Sequence, residues 1–156
     1  MQQEPQIVQQ FEQAKCSQPF SQLGVIESEG ELLLRVWRPK AASITITWEN
    51  PAFDEISLLP VSASGLFQAA IPRECVNHVY RVNVTEGEHQ YKYIDPYQFR
   101  EQAYHAVHFI DSTPFNLFQQ AGAQLVTVEA QNGESIDGVR YCVFAPNASA
   151  VSVIGD

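Results

Sequence analysis

The residues best suited to acid–base, metal or nucleophilic chemistry are few and widely spaced. His105 and His108 precede Asp111, but this spacing is not one that metal sites characteristically use. Neighbouring carboxylates such as Asp54 and Glu55 lie in polar loops, where solvation explains them better than paired acid–base catalysis. The sequence has neither a Gly-rich phosphate loop nor a nucleophilic serine turn. We therefore expect no catalytic residue, no metal site and no cofactor.

Aromatic side chains are the remaining candidates for ligand contact. A flat ring can cover the apolar C–H face of a sugar while polar side chains hold its hydroxyls. Trp37 alternates with Leu34 and Val36 along one strand pattern, so its ring is expected on the opposite face and exposed. Tyr91 and Tyr93 share one face of another strand. These three aromatics are the candidate sugar contacts; packing in the core or between domains is the alternative for each.

The composition restricts the classes of partner. Nine Lys and Arg residues stand against 18 Asp and Glu residues, a formal net charge of −9. Such a surface repels phosphate backbones and anionic lipid headgroups, so neither nucleic acid nor membrane is an expected partner. Cys16, Cys75 and Cys142 form neither a disulfide framework nor a zinc pattern, and we expect no secretory signal, because the N-terminal residues lack a basic stretch followed by an apolar one. These features predict reduced thiols and a cytoplasmic location.

The apolar pattern predicts short strands separated by turns. At 43–48 apolar and polar residues alternate, which places Ile44, Ile46 and Trp48 on the core face. Further strands are predicted at 32–38, 56–60, 65–72, 79–84 and 90–94, and short helices at 7–14 and 115–121. Gly87 falls in the connection of a predicted hairpin. The expected fold is all-β, an immunoglobulin-like β-sandwich with short flanking helices.

An internal repeat predicts a second module. The segment at 35–46 aligns with that at 142–153, Val36 meeting Val143 and Pro39 meeting Pro146. Each copy is expected to be a strand, a Pro-containing turn and a second, alternating strand, and Leu125 to Val128 is predicted as a further strand. The second copy would hold only the first strands of a truncated β-sandwich. The predicted domains are therefore 1–123 and an incomplete module at 124–156.

Two sets of motifs resemble known families. At 141–156 an aromatic residue precedes Ala-Pro-Asn-Ala and an apolar strand ends in Gly-Asp, which resembles the opening of the family 48 carbohydrate-binding module. Phe144 stands where that module usually has Trp. Upstream, the chain resembles the extra N-terminal domain of bacterial 1,4-α-glucan (glycogen) branching enzymes. The segments that carry this resemblance lie at 19–24, 34–39, 65–67, 80–82, 95–99 and 117–123.

The resemblance implies a role in glycogen biosynthesis. Branching enzymes are retaining glycosyltransferases whose Asp nucleophile and Glu acid–base belong to a downstream barrel, which this chain does not reach. The chain is thus expected to be non-catalytic alone and to assist glucan binding and transferred-chain length. Its implied partners are α-1,4-glucan (glycogen or maltooligosaccharide), bound weakly, and the downstream catalytic barrel. Two alternatives stay open: a stand-alone glucan-binding or regulatory module, and a module of another α-amylase-superfamily debranching-type enzyme.

Overall fold

Seven strands form a curled antiparallel sheet in the computed structural model, which describes residues 4–99, 121–129, 133–143, 145, 147–149 and 151–154. They are β1 (Gly24–Ser28), β2 (Glu31–Trp37), β3 (Ser43–Trp48), β4 (Ile56–Pro60), β5 (Leu66–Ala70), β6 (Tyr80–Glu86) and β7 (His89–Ile94). Their order is β1-β2-β5-β4-β3-β6-β7. The predicted strands are thus confirmed, whereas β1 was not predicted.

β4 converts this single sheet into two layers. Its first residues pair with β3 through Ile56 and Leu58, and its last residues pair with β5 through Leu59 and Pro60. One layer therefore holds β1, β2 and β5, and the other holds β3, β6 and β7. This arrangement is that of the constant-type immunoglobulin sandwich, whose fourth strand lies at the edge of the first layer. The predicted fold class is confirmed.

The main core lies between the two layers and follows from the period-two pattern of the strands. Ile44, Ile46 and Trp48 point inward from β3, as predicted, and face apolar residues of β2 and β5. Burial of each large aliphatic side chain contributes about 1.5–3 kcal/mol, before the entropy of ordering is subtracted. The buried members of this cluster are Leu34, Val36, Ile44, Ile46, Trp48, Leu58, Phe67, Ile71, Cys75, Tyr80, Val82 and Val84.

A second apolar cluster covers the outer face of the first layer. Helix α1 (Glu4–Glu12) packs there, with Ile7 buried beside Leu23 and Leu66. The ring of Phe11 stacks on Trp37 with centroids 5.2 Å apart. The prediction that Trp37 is exposed is therefore wrong: its ring does leave the main core, but α1 half-buries it. A helix this short is marginal in water, so contacts of this kind must stabilise it.

A separate two-stranded hairpin follows, formed by β8 (Gly122–Glu129) and β9 (Ser135–Cys142). The strand predicted at 125–128 is confirmed, whereas β9 ends at Cys142, where the first strand of the second copy was predicted to begin. Residues 151–154 were expected to form a strand but are irregular. A strand needs a hydrogen-bonding neighbour, and in the part of the chain that the structure describes β8 and β9 pair only with each other. The predicted helix at 115–121 lies outside the described residues, apart from Ala121.

Candidate functional site

Two of the three predicted sugar contacts lie together on β7. Tyr91 pairs with Val84 and Tyr93 with Val82, so both rings extend from the core face of this edge strand. Their centroids are 6.2 Å apart with 27° between the planes. Tyr91 is 40% exposed, whereas Tyr93 is half-buried and the guanidinium of Arg38 lies 4.6 Å from its centroid. Of these two rings, that of Tyr91 is the one open to a ligand.

The electrostatics of Tyr93 favour a structural role for its ring. Burial raises the pKa of the Tyr93 hydroxyl to about 12, although the positive charge of Arg38 acts in the opposite direction. The phenol therefore stays protonated at neutral pH and remains a hydrogen-bond donor. A guanidinium over an aromatic face is a cation–π contact worth about 0.5–1 kcal/mol at a partly exposed site. Arg38 and Tyr91 together cover the ring on which a sugar would otherwise stack.

Trp37 does not join the tyrosines. It ends β2 in the first layer, where its ring stacks on Phe11, while Tyr91 and Tyr93 belong to an edge strand of the second layer. The three predicted contacts therefore do not form one aromatic platform.

A buried polar network fixes the chain just after β7. Asp95, only 2% exposed, accepts a hydrogen bond from the Tyr80 hydroxyl at 2.6 Å and one from the Tyr97 backbone N–H at 3.3 Å. The side-chain amide of Gln98 donates to the Tyr80 carbonyl oxygen at 3.0 Å and accepts from the Tyr80 N–H at 3.1 Å. A carboxyl group enclosed in this way holds the segment in place and is closed to a substrate.

Burial also controls the ionisation of this network. Desolvation raises the pKa of Asp95 above its ordinary value of 3.8, against the hydrogen bonds from Tyr80 and Tyr97, which lower it. Burial, and then the charge of Asp95, raises the pKa of Tyr80 well above 10. The Tyr80 hydroxyl therefore stays protonated at neutral pH and donates the hydrogen bond that Asp95 accepts.

The outer face of β3, β6 and β7 carries a polar groove that sequence reasoning did not identify as a site. The groove is open and has a volume of about 500 Å³. Thr45, Thr47 and Asn83 are its half-buried central residues. The exposed residues Glu55, Gln90, Tyr91 and Lys92 also line it. The only sequence signal was that Thr45 and Thr47 share the polar face of β3, a pattern equally typical of a solvated strand.

Hydrogen bonds tie the central residues together. The side-chain amide of Asn83 donates to the Thr45 carbonyl oxygen at 3.3 Å, to the Thr45 hydroxyl at 3.2 Å and to the Thr47 hydroxyl at 3.3 Å. Because Thr45 and Asn83 are cross-strand partners, this contact depends on the β3–β6 register. The arrangement presents fixed hydroxyl and amide groups, which suit recognition of a polar ligand.

No metal centre accompanies these groups in the described residues. Among them, no three His, Cys, Asp or Glu side chains lie close enough to hold an ion. The pKa of the Cys75 thiol is raised by burial and then by the charge of Glu74, which makes this thiol less reactive. His105, His108 and Asp111 lie outside the described residues. No helix in the described part of the chain is both long and apolar enough to cross a bilayer.

Comparison with known proteins gives one consistent result. Residues 4–97 match the family described as alpha-1,4-glucan branching enzyme GlgB, N-terminal domain. A 1,4-alpha-glucan branching enzyme GlgB of Pseudoalteromonas atlantica is 41% identical over 153 residues, covering 97% of this chain and 21% of that protein. GlgB of Photobacterium profundum is 34% identical over 152 residues, covering 94% of this chain and 20% of that protein. The chain thus spans about a fifth of the length of these relatives.

A solved structure is also similar to part of the chain. A pullulanase of Paenibacillus barengoltzii, crystallised with maltotetraose, matches with a TM-score of 0.40 and 23% identity. The match covers 48% of this chain and 12% of the pullulanase.

Proposed function

The chain belongs to the family of the N-terminal domain of the α-1,4-glucan branching enzyme GlgB, and from this membership we propose that it is the non-catalytic N-terminal region of a branching enzyme. The observation that carries the proposal is the 41% identity to a GlgB protein over 97% of the chain. The complete polypeptide would transfer segments of α-1,4-glucan into α-1,6 branches in the cytoplasm. Residues 1–123 would be its first domain, and 124–156 would begin its carbohydrate-binding module.

The described chemistry agrees with an accessory role. Asp95 is closed to substrate by its hydrogen bonds, and the carboxylate of Glu55 lies at the edge of a groove lined by hydroxyl and amide groups. Retaining glycoside chemistry needs two carboxyl groups about 5–5.5 Å apart across a sugar. Catalysis would therefore belong to another part of the polypeptide.

Weak binding is sufficient for this role. One exposed ring such as Tyr91 and a few hydrogen bonds that compete with water support a dissociation constant on the order of millimolar, about −4 kcal/mol. A domain attached to the barrel needs no more, because attachment raises the effective concentration of a held glucan to about the millimolar range. Glucan held in this way would bias which chain lengths the barrel transfers. Trp37 and Tyr93 remain predicted contacts, although Phe11 and Arg38 cover their rings.

The complete reading frame that contains this chain tests the proposal. We expect its product to branch amylose, and a variant without residues 1–123 to transfer chains of a different length distribution, measured by chromatography of the debranched product. This chain alone should cause no time-dependent fall in the iodine absorbance of amylose. A reading frame without a glucan-branching barrel would overturn the proposal, as would an unchanged length distribution together with an unchanged KM for amylose.

A further inference from the structure

The polar groove is built as a regular array of side chains. On the outer face of the second layer, Thr45 of β3 pairs with Asn83 of β6, which pairs with Lys92 of β7. The neighbouring row pairs Thr85 with Gln90 in the same way. Rows of this kind repeat about every 4.8 Å across the strands and about every 6.8 Å along them. The array therefore offers evenly spaced polar groups to an extended ligand.

The side chains at the centre of this array have donors and an acceptor that form no hydrogen bond within the described residues. The side-chain amide N–H groups of Asn83 donate to Thr45 and Thr47. Its side-chain carbonyl oxygen accepts no hydrogen bond from the described residues. Both threonine hydroxyls act as acceptors there, and neither donates within the described part of the chain. Two hydroxyl donors and one amide acceptor are thus held in fixed positions, which reduces the entropy lost on binding.

The charge and polarity of the lining favour a neutral ligand rich in hydroxyl groups. Lys92 and Glu55 carry opposite charges, so the lining has no net charge to attract an ion. A sugar hydroxyl both donates and accepts, and so matches a surface that offers both kinds of group. Tyr91 also borders the groove, but its ring extends from the core face of β7, so the proposed contacts on the outer face are hydrogen bonds. The volume of about 500 Å³ lies in the usual range for small-ligand sites.

We propose that the outer face of β3, β6 and β7 is an α-1,4-glucan subsite, in which Thr45, Thr47 and Asn83 bind sugar hydroxyls and Lys92 and Gln90 flank the chain. This assignment rests on the proposed function and adds the location of the glucan contact. A protein partner suits the groove less well, because the centre of a protein interface is usually apolar and rich in aromatic, Met and Arg side chains.

Titration of the whole 156-residue chain with maltoheptaose tests the assignment. The largest amide NMR shifts are expected at Thr45, Thr47, Asn83 and Lys92. A double variant, Thr45→Val with Thr47→Val, keeps side-chain shape and β-branching but removes two hydroxyls. We expect it to bind about tenfold more weakly, as the loss of two modest hydrogen bonds would produce. Thr127→Val makes the same change on β8 and should leave the affinity unaltered.

A second variant tests the subsite even if the double variant does not fold. Lys92 is exposed on edge strand β7, so Lys92→Ala leaves the core intact and should weaken binding several-fold. Shifts centred on Trp37, with unchanged affinity in the groove variants, would overturn this subsite while the proposed function stands. No shift anywhere up to tens of millimolar would also overturn the subsite; the chain-length assay then decides the proposed function independently. Protection of the groove by the remaining polypeptide without glucan would indicate a protein interface and contradict the assignment.

Discussion

At the scale of single residues, Tyr80 and Asp95 show how a buried polar pair is accommodated. Tyr80 begins β6, the position at which immunoglobulin-like sandwiches carry a tyrosine corner, whose hydroxyl bonds to backbone a few residues upstream. Here the hydroxyl instead reaches forward to the carboxylate of Asp95, beyond the end of β7. The bond joins the start of one strand to the exit of the next, so it stabilises the end of the β6–β7 hairpin.

The raised pKa of Asp95 predicts a specific pH dependence of stability. Between the ordinary value of 3.8 and the higher folded value, the folded chain binds more protons than the unfolded chain. The unfolding free energy therefore falls as pH rises through this window, and the contribution is constant above it. In Asp95→Asn this decrease should be absent. Urea unfolding across the pH range should show the wild-type value falling relative to that of the variant.

Tyr80→Phe provides the companion test. The Tyr80 hydroxyl lowers the pKa of Asp95, so its removal should widen the window and deepen the decrease. Above the window, where the carboxylate is ionised, loss of this bond should cost about 1.5–3 kcal/mol. A wild-type stability that instead rises with pH relative to Asp95→Asn would show that the folded pKa is depressed.

At the scale of elements, Gly65, which precedes β5, has the most crowded Cβ position of the glycines that the structure describes. Its φ is +105°, and a Cβ there would lie 2.2 Å from the Cα of Pro39. Gly65→Ala should therefore lower the unfolding free energy by about 3 kcal/mol or more, measured by chemical denaturation. Gly87, at φ +60° with nothing near its Cβ position, is the matched control. Gly87→Ala should cost only about 1–2 kcal/mol; equal losses would mean that the turn moves away from Pro39 at little cost.

The elements themselves were largely predictable because their patterns are local. Strict alternation at 43–48 identified both β3 and its buried face. β1 was missed because Val25 and Ile26 are adjacent rather than alternating, and the strand is defined by pairing with β2. The alternation predicted which face of β2 carries Trp37. It could not predict that α1 covers the ring, since the contact with Phe11 joins two elements distant in sequence.

The candidate sites, too, could be predicted only where the sequence pattern is local. A period of two places Tyr91 and Tyr93 on one face, and the structure confirms that their rings lie together. The contact of Asn83 with Thr45 depends on a register between residues 38 positions apart. Nothing local in either strand specifies that register, so the groove could not have been predicted as a site from the sequence.

At the scale of the whole molecule, the sandwich and the hairpin bury their side chains very differently. β3 pairs on both sides and its Ile44 and Ile46 are fully buried. In the hairpin, Leu125 is 91% exposed and its cross-strand partner Val139 is 47% exposed. A two-stranded hairpin is marginally stable in water unless a further layer covers one face. The two units should therefore differ in the free energy of local opening.

Hydrogen exchange measures that difference directly. Amides of β8 and β9 should exchange at least about a hundredfold faster than those of β3 and β6, equivalent to about 2.7 kcal/mol in opening free energy. Amides of β3 and β6 should in turn exchange at similar rates, because they share one core. Equal protection of both units would show that the exposed strip of Leu125, Val139 and Tyr141 is covered in solution. Repeating the measurement at lower concentration would then distinguish the two sources of that cover: protection lost on dilution comes from a second copy, and protection retained comes from the same chain.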